Sequence, residues 1–216
     1  MSSVLTATDL TQTFDAGPVL QNFSLELKKG EHTLLLGPSG SGKTTLINLI
    51  CGLMTPTSGE ITICGEAIST ADGAMRDTIR RRHIGFVPQQ TRLVSALTVE
   101  QNLHLAKKLA DATTSDVNAL ISEVGLSHRA NAKPRQLSQG EAQRAAIARA
   151  LVAKPALLIA DEPTAALDDA NAERVARLFL EAAEANGSTL LIATHDARLK
   201  AHIEQTISLT NTGGRS

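Results

Sequence analysis

The chain has no tryptophan and no tyrosine, and only four phenylalanines among its 216 residues. Any aromatic platform in a binding site must therefore come from one of those four, Phe14 among them. Cysteine is almost as scarce. Cys51 and Cys64 both sit in apolar surroundings (LINLICGLM and GEITICGE) and could make at most one disulfide. Two buried free thiols, as in a reducing cytosol, are the expectation. An excess of either charge is missing too: 21 Lys and Arg face 22 Asp and Glu, for a net charge of −1. Nothing electrostatic then argues for a nucleic-acid partner. No apolar run approaches the roughly 20 residues that a membrane-spanning helix needs, so a link to a membrane would pass through a partner. Met1–Leu10 lacks the basic stretch and apolar run of a secretory signal. No internal repeat or low-complexity segment is present.

What remains is an ordinary globular balance, with 42% hydrophobic and 20% charged residues. The length suits one domain with a small subdomain. Phe23–Leu27 alternates like a half-buried strand, and a turn follows at Lys28–Glu31. His32–Leu36 is a short apolar run that suits a buried strand. Thr44–Leu53 has helical spacing through Leu46, Ile47, Leu49, Ile50 and Leu53. Gly59–Ile68 alternates again, and Ile84–Val87 is apolar up to Pro88. From Ser95 to Arg135 two helical patterns follow without a strand signal, the first through Val99, Leu103, Leu105, Ala106 and Leu109. This reads as a helical insertion at 95–137. Strands at Pro155–Ala160 and Ser188–Ala193 flank a helix over Ala170–Ala185, and Asn211–Ser216 reads as a loose tail. Short apolar strands alternating with helices predict an α/β fold with a mostly parallel sheet.

GPSGSGKT, Gly37–Thr44, fits G-x-x-x-x-G-K-[ST] between a predicted strand and a predicted helix. Gly37, Gly40 and Gly42 permit positive φ and close backbone approach. Successive N–H groups can then form an anion nest at the start of a helix. Lys43 offers a charge to phosphates, and the Thr44 hydroxyl can ligate Mg²⁺. The alternative, a plain glycine-rich turn, leaves the matching flanks unexplained.

Other strands also end in polar residues. Pro155–Ala160 runs into Asp161-Glu162-Pro163. Parallel sheets place ligand sites beyond the carboxyl ends of their strands, so Asp161 can serve Mg²⁺ while Glu162 orients or deprotonates a water. Ser188–Ala193 delivers Thr194-His195-Asp196, and His195 is expected to reach a terminal phosphate. After Ile84–Val87 comes Gln89, whose amide could ligate Mg²⁺ or hold the attacking water. On spacing alone Gln90 competes for that role.

LSQGEAQRAAIARAL begins at Leu137. Ser138-x-x-Glu141 is a capping box, which explains helix initiation. It does not explain Gly140, since glycine in a first helical turn costs up to about 1 kcal/mol relative to alanine. Gly140 leaves the helix tip open to close approach, and an open tip with a hydroxyl receives phosphate. A head-to-tail second copy would let each tip close the other copy's site.

Taken together, GPSGSGKT, Gln89, LSQGE, LLIADEP, Ala166-Leu167-Asp168 and His195 resemble, in order and spacing, an ABC-type ATPase subunit. The match runs from about Val4 to Leu209. The resemblance implies a P-loop NTPase-type sheet with an antiparallel N-terminal β part. It divides the chain into a RecA-like core (1–94 and 138–216) and an inserted helical subdomain (95–137). It also implies two ATP sandwiched between two copies, identical or paralogous, with Gly37, Pro38, Ser39, Gly40, Ser41, Gly42, Lys43, Thr44 and Thr45 of one facing Ser138 and Gly140 of the other. Thr44, Gln89 and Asp161 would hold Mg²⁺. Glu162 would be the catalytic carboxylate, with His195 and Gln89 assisting. Asp168 would lie at the dimer seam, Phe14 would stack on adenine, and Gln89 would begin a loop that senses a membrane permease. In LSQGE, Gln139 and Glu141 depart from the family's usual LSGGQ. A carboxylate at 141 would oppose a partner's γ-phosphate unless it turns into its capping box or pairs with a cation. RRRHIGFVPQQTRLVSALTVEQNL further resembles the lipoprotein-releasing, macrolide-exporter and cell-division group, which implies work at the cytoplasmic face of a membrane, export or extraction more than import. A soluble ABC-type protein acting on nucleic acid or ribosomes would want a second cassette or a basic stripe. A P-loop kinase would leave LSQGE and His195 without a task.

Overall fold

The computed structural model describes residues 2–165 and 169–210, with residues 169 and 170 described by backbone alone. Two sheets organise these residues. The first is antiparallel, in the order β2-β1-β4-β5. In it β1 (Ser3–Phe14) lies between β2 (Gly17–Lys28) and β4 (Ser58–Ile63), and β4 turns into β5 (Glu66–Ala67). The second sheet comprises β3 (Thr33–Leu36), β6 (Ile84–Val87), β7 (Leu157–Asp161), β8 (Thr189–Thr194) and β9 (Gln205–Ser208). Its order is β6-β7-β8-β3-β9, and every neighbouring pair is parallel.

Alternation along these strands feeds two cores, one on each face of the parallel sheet. Leu34, Leu158, Ala160, Leu190 and Ile192 point into a core shared with α3 (Val99–Leu109), α4 (Val117–Glu123), α5 (Gln139–Leu151) and α6 (Asp169–Ala185). Leu35, Leu157, Ile159, Leu191 and Ala193 point the other way, onto α1 (Lys43–Ile50) and the antiparallel sheet. Strands covered on both faces read as near-continuous apolar runs, as β7 does over Leu157–Ala160 and β8 over Leu190–Ala193, and both are buried throughout.

The expected strands and long helices are present, with ends shifted by a few residues. Residues 95–137 contain α3, α4 and two short 3₁₀ turns, Ser127–Arg129 and Pro134–Gln136, and no strand. Two local readings are corrected and one further helix is present. The first helix stops at Ile50, because Gly52 takes φ 62° and turns the chain. Leu53 therefore lies past the helix, 52% exposed, and is not a core position. Gly73–His83 is a helix, α2, that hydrophobic periodicity does not reveal, since Ile79 is its one buried residue. It starts on an Asp72 cap to the Met75 N–H (2.8 Å) and ends on Arg80, Arg81, Arg82 and His83, which complement the carboxyl end of its dipole. Cys64 is exposed and only Cys51 is buried. Ile61 and Ile63 take the inward positions of β4, and Cys64 follows them into a turn with φ 50°. Both thiols are free, as expected. No helix among the described residues is long and apolar enough to cross a membrane.

Candidate active site

Adjacent parallel strands bring their carboxyl ends to one edge of the sheet. Leu36 is in register with Thr194, Asp161 with Ala193, and Val87 with Ala160. The residues that follow, Gly37, His195, Glu162 and Gln89, must therefore emerge together. A cavity of about 390 Å³ lies there, lined by Val19, Ser39, Gly40, Gly42, Lys43, Thr44, Thr45, Gln89, Glu162 and His195. Gln90 is not among the lining residues.

The loop from Gly37 to Gly42 is shaped by its glycines. Gly42 is the N-cap of α1 at φ 94°, and no side chain caps that helix. The first turn of α1 carries no acidic residue, so its dipole end is open to an anion. A Cβ on Gly42 would come within 2.9 Å of Val19 Cγ1. Lys43 is 5% exposed, and its ammonium donates to the carbonyls of Gly37 (2.7 Å) and Pro38 (3.0 Å).

The two carboxylates after β7 have separate environments. Asp161 accepts the Thr44 hydroxyl at Oδ2 (3.1 Å), while its buried Oδ1 has no partner. Burial pushes its carboxyl above the ordinary aspartate value, the Thr44 bond opposes this, and the charge of Glu162 adds to it. An acceptor pair of this kind, with one oxygen free beside a hydroxyl, suits a hard cation. Among the described residues no cluster of three or more His, Cys, Asp or Glu could hold a metal by itself. A cation here would thus depend on Thr44, Asp161 and oxygens from outside the chain, which is how Mg²⁺ is commonly bound with phosphates.

Glu162 adopts φ 47°, uncommon for a residue with a side chain. This turns its carboxylate into the cavity. Oε1 pairs with Lys43 Nζ at 3.2 Å, and Oε2 accepts from the Thr194 hydroxyl (3.2 Å) and the His195 N–H (3.3 Å) and lies 2.9 Å from His195 Nδ1. Burial pushes the Glu162 carboxyl up, but the bonds from His195 and Lys43 outweigh it and hold it below the ordinary glutamate value. It is thus ionised at neutral pH and spans from Lys43 to His195.

Other predicted residues fall elsewhere. Phe14 is 42% exposed at the end of β1 and does not line the cavity. Pro38 contributes a carbonyl to Lys43, and Ser41 is buried with its hydroxyl unpartnered. Asp168, with Ala166 and Leu167, lies outside the described residues. Ser138 and Gly140 line a different cavity, about 550 Å³, together with Gln139, Arg144, Asn171 and Arg174. There Ser138 caps α5 through the Glu141 N–H (3.2 Å), and Glu141 returns to the Ser138 N–H (2.8 Å), completing the predicted capping box. Two contacts escaped sequence reasoning. Thr194 holds Glu162, for which its place at a strand end beside His195 was a usable signal. Asp196 accepts from the Thr164 hydroxyl (3.0 Å) and joins the His195 loop to the segment after Glu162.

Residues 20–165 match the ABC transporter family. The chain belongs to that family. It is an ATP-binding, ATP-hydrolysing subunit of the ABC type, built as the parallel-sheet cassette its strands imply. Among its relatives is the lipoprotein-releasing system ATP-binding protein LolD of Hydrogenovibrio crunogenus, 38% identical over 96% of this chain and 94% of that protein. The protein of the same name from Psychrobacter arcticus is also 38% identical, over 98% and 97% of the two chains. Among solved structures, a dimeric post-hydrolysis state of the ATP-binding cassette MJ0796 bound to ADP and Pi superposes with a TM-score of 0.81 at 33% identity, covering 96% of each chain. CbiO1 from Clostridium perfringens, described as part of the CbiONQ transporter complex, gives 0.85 at 28% identity over 97% of this chain and 85% of that one.

Proposed function

We propose that two cassettes of this kind close head to tail on two Mg·ATP, and that closure drives a separate permease-type membrane protein from the cytoplasmic face of the inner membrane. The carrying observation is the separation of two features suited to phosphate. The glycine loop shares one cavity with Glu162 and His195, whereas the open tip of α5, Ser138 to Gly140, lines another. Two copies related by a twofold axis bring the loop of one to the tip of the other, giving two equal sites. The MJ0796 cassette, described as a dimer bound to ADP and Pi, supports this arrangement.

Each residue then has a task. The loop amides of 37–45 and Lys43 would cradle the phosphates; Thr44 and Asp161, joined by Gln89 of the same cavity and by phosphate oxygens, would hold Mg²⁺. Glu162 orients the attacking water, with His195 beside it to meet the γ-phosphate. Phe14, exposed at the end of β1 and outside the cavity lining, would stack on adenine, and Asp168, outside the described residues, would act at the dimer seam. Residues 95–137 form a helical insert on the core of 1–94 and 138–216, and with the loop after Gln89 they receive the membrane partner. Relatives described as lipoprotein-releasing ATP-binding proteins favour extraction or export over import.

The test is Glu162→Gln, which keeps the shape of the site and removes the carboxylate. With Mg·ATP this variant is expected to elute as a dimer in gel filtration with light scattering, and as a monomer with EDTA or ADP. A monomer under all conditions defeats the proposal.

A further inference from the structure

The tip of α5 carries a carboxylate where an incoming phosphate would find it least welcome. Ser138 and Gln139 are exposed, and a Cβ on Gly140 would meet nothing closer than Arg144 Nη1 at 4.0 Å, so the tip is open. Glu141 belongs to the same first turn. A lone carboxylate there satisfies the helix dipole by itself and repels a second anion.

Both oxygens of Glu141 are occupied. Oε2 accepts from the Ser138 N–H at 2.8 Å, and Oε1 accepts from Arg129 Nε at 2.8 Å. His128 Nε2 stands 3.6 Å from the same Oε1. The backbone N–H of Ser138 and the Arg129 guanidinium hold this carboxyl at about 2. It therefore stays charged, and Arg129, in direct hydrogen-bonded contact at 2.8 Å, is the cation placed to cancel that charge.

The backbone that carries Arg129 is tied down at several points. Its turn follows the fully buried Leu126, whose carbonyl accepts the Arg129 N–H at 2.8 Å. The next residues are stitched to the start of α3: the Glu100 N–H donates to Ala130 O (3.0 Å) and the Val99 N–H to Ala132 O (2.9 Å). Asn102, buried on α3, accepts the Val94 N–H and donates to the carbonyls of Val94, Leu97 and Thr98, so one frame holds both Arg129 and the segment before α3.

We infer that Arg129 is a positioning residue for ATP-driven closure: by clamping and neutralising Glu141 it keeps the α5 tip able to receive the partner copy's γ-phosphate. This rests on the two-copy reading above. The Glu141 departure thus forms one unit with a residue twelve positions before it, outside the signature stretch.

The experiment measures Mg·ATP-dependent dimerisation in the Glu162→Gln background, with circular dichroism melts confirming each fold. Adding Arg129→Ala is expected to raise the ATP needed for half-dimerisation about tenfold, since juxtaposed like charges are penalised at interfaces. Arg129→Lys, which keeps the charge but not the Nε geometry, should fall between. Adding Glu141→Gln removes the anion, and in that background Arg129→Ala should change the requirement less than about twofold, the signature of coupling between contacting residues. A purely structural Arg129 would cost the same with or without the Glu141→Gln substitution, and that result overturns the inference. So does an Arg129→Ala variant that dimerises like its parent while the parent dimerises normally. A parent that never dimerises fails the two-copy reading itself and takes the inference with it.

Discussion

Replacing Lys43 by methionine tests the central ion pair of the site. Its ammonium lies 3.2 Å from Glu162 Oε1, and the two side chains are only 6% and 13% exposed. At that separation and an effective dielectric near 20, two unit charges attract by about 5 kcal/mol. Both ions give up hydration to form the pair, so the net value is smaller. Coupling between touching residues runs to about 3 kcal/mol, and the low exposure places this pair at about 2 kcal/mol. Lys43→Met alone should cost about 3 kcal/mol, because Glu162 stays buried without its cation. In a Glu162→Gln background the same substitution should cost about 2 kcal/mol less. Urea denaturation of the four proteins without nucleotide, at constant m-value, supplies the cycle. The Glu162 carboxyl is held below its ordinary value of 4.5, so its stabilising contribution is complete above that pH and lost as pH falls through the folded value. Lys43→Met should shift that loss to higher pH. A coupling below about 0.5 kcal/mol, or acid unfolding indifferent to Lys43, would refute the pairing. If it holds, ATP must compete with Glu162 for Lys43, and Glu162→Gln should bind ATP more tightly for that reason as well as hydrolysing it more slowly.

Three further outcomes are expected. Gly42→Ala places a Cβ 2.9 Å from Val19 Cγ1 at φ 94°; the backbone cost alone is about 1–2 kcal/mol, and both the melting temperature and the thermal shift on adding Mg·ATP should fall. Asp161→Asn removes the anionic oxygen beside Thr44, so the extra shift that Mg²⁺ adds to ATP should vanish while a shift with ATP in EDTA persists; an unchanged Mg²⁺ increment would contradict the assignment of Asp161. Cys64 is exposed, whereas burial pushes the Cys51 thiol up to about 12. A thiol reagent should therefore titrate one cysteine in the native protein and both in denaturant, and equal native rates would show that the β4 turn is not as described.

The chemistry of this chain was written in short local stretches. GPSGSGKT needs only its own glycines and the flanking strand and helix to form an anion cradle, and β7 and β8 announce themselves because strands covered on both faces carry near-continuous apolar runs. Their polar ends were legible for the same reason, since a parallel sheet gathers its strand ends at one edge. Elements with little apolar periodicity were not. Helix α2 buries one residue, and the alternation of β1 is interrupted where Asp9 takes φ 50° and its pairing with β2 shifts register.

What the sequence determined by itself was therefore the inventory: which groups could hold phosphate, metal and water, and which strand or helix delivers each. Only the tertiary structure decided the pairings. Lys43 and Glu162 lie far apart along the chain, as do Thr44 and Asp161, and their contacts exist because β3 and β7 each pair with β8. Cys64 left the core because the strand before it had already filled the inward positions with Ile61 and Ile63. The fate of Glu141 was decided by Arg129, carried on a turn stitched to α3. The physical reason is common to all three: a side chain's chemistry is set by its own atoms, but its charge state and reach are set by neighbours that packing brings from elsewhere in the chain.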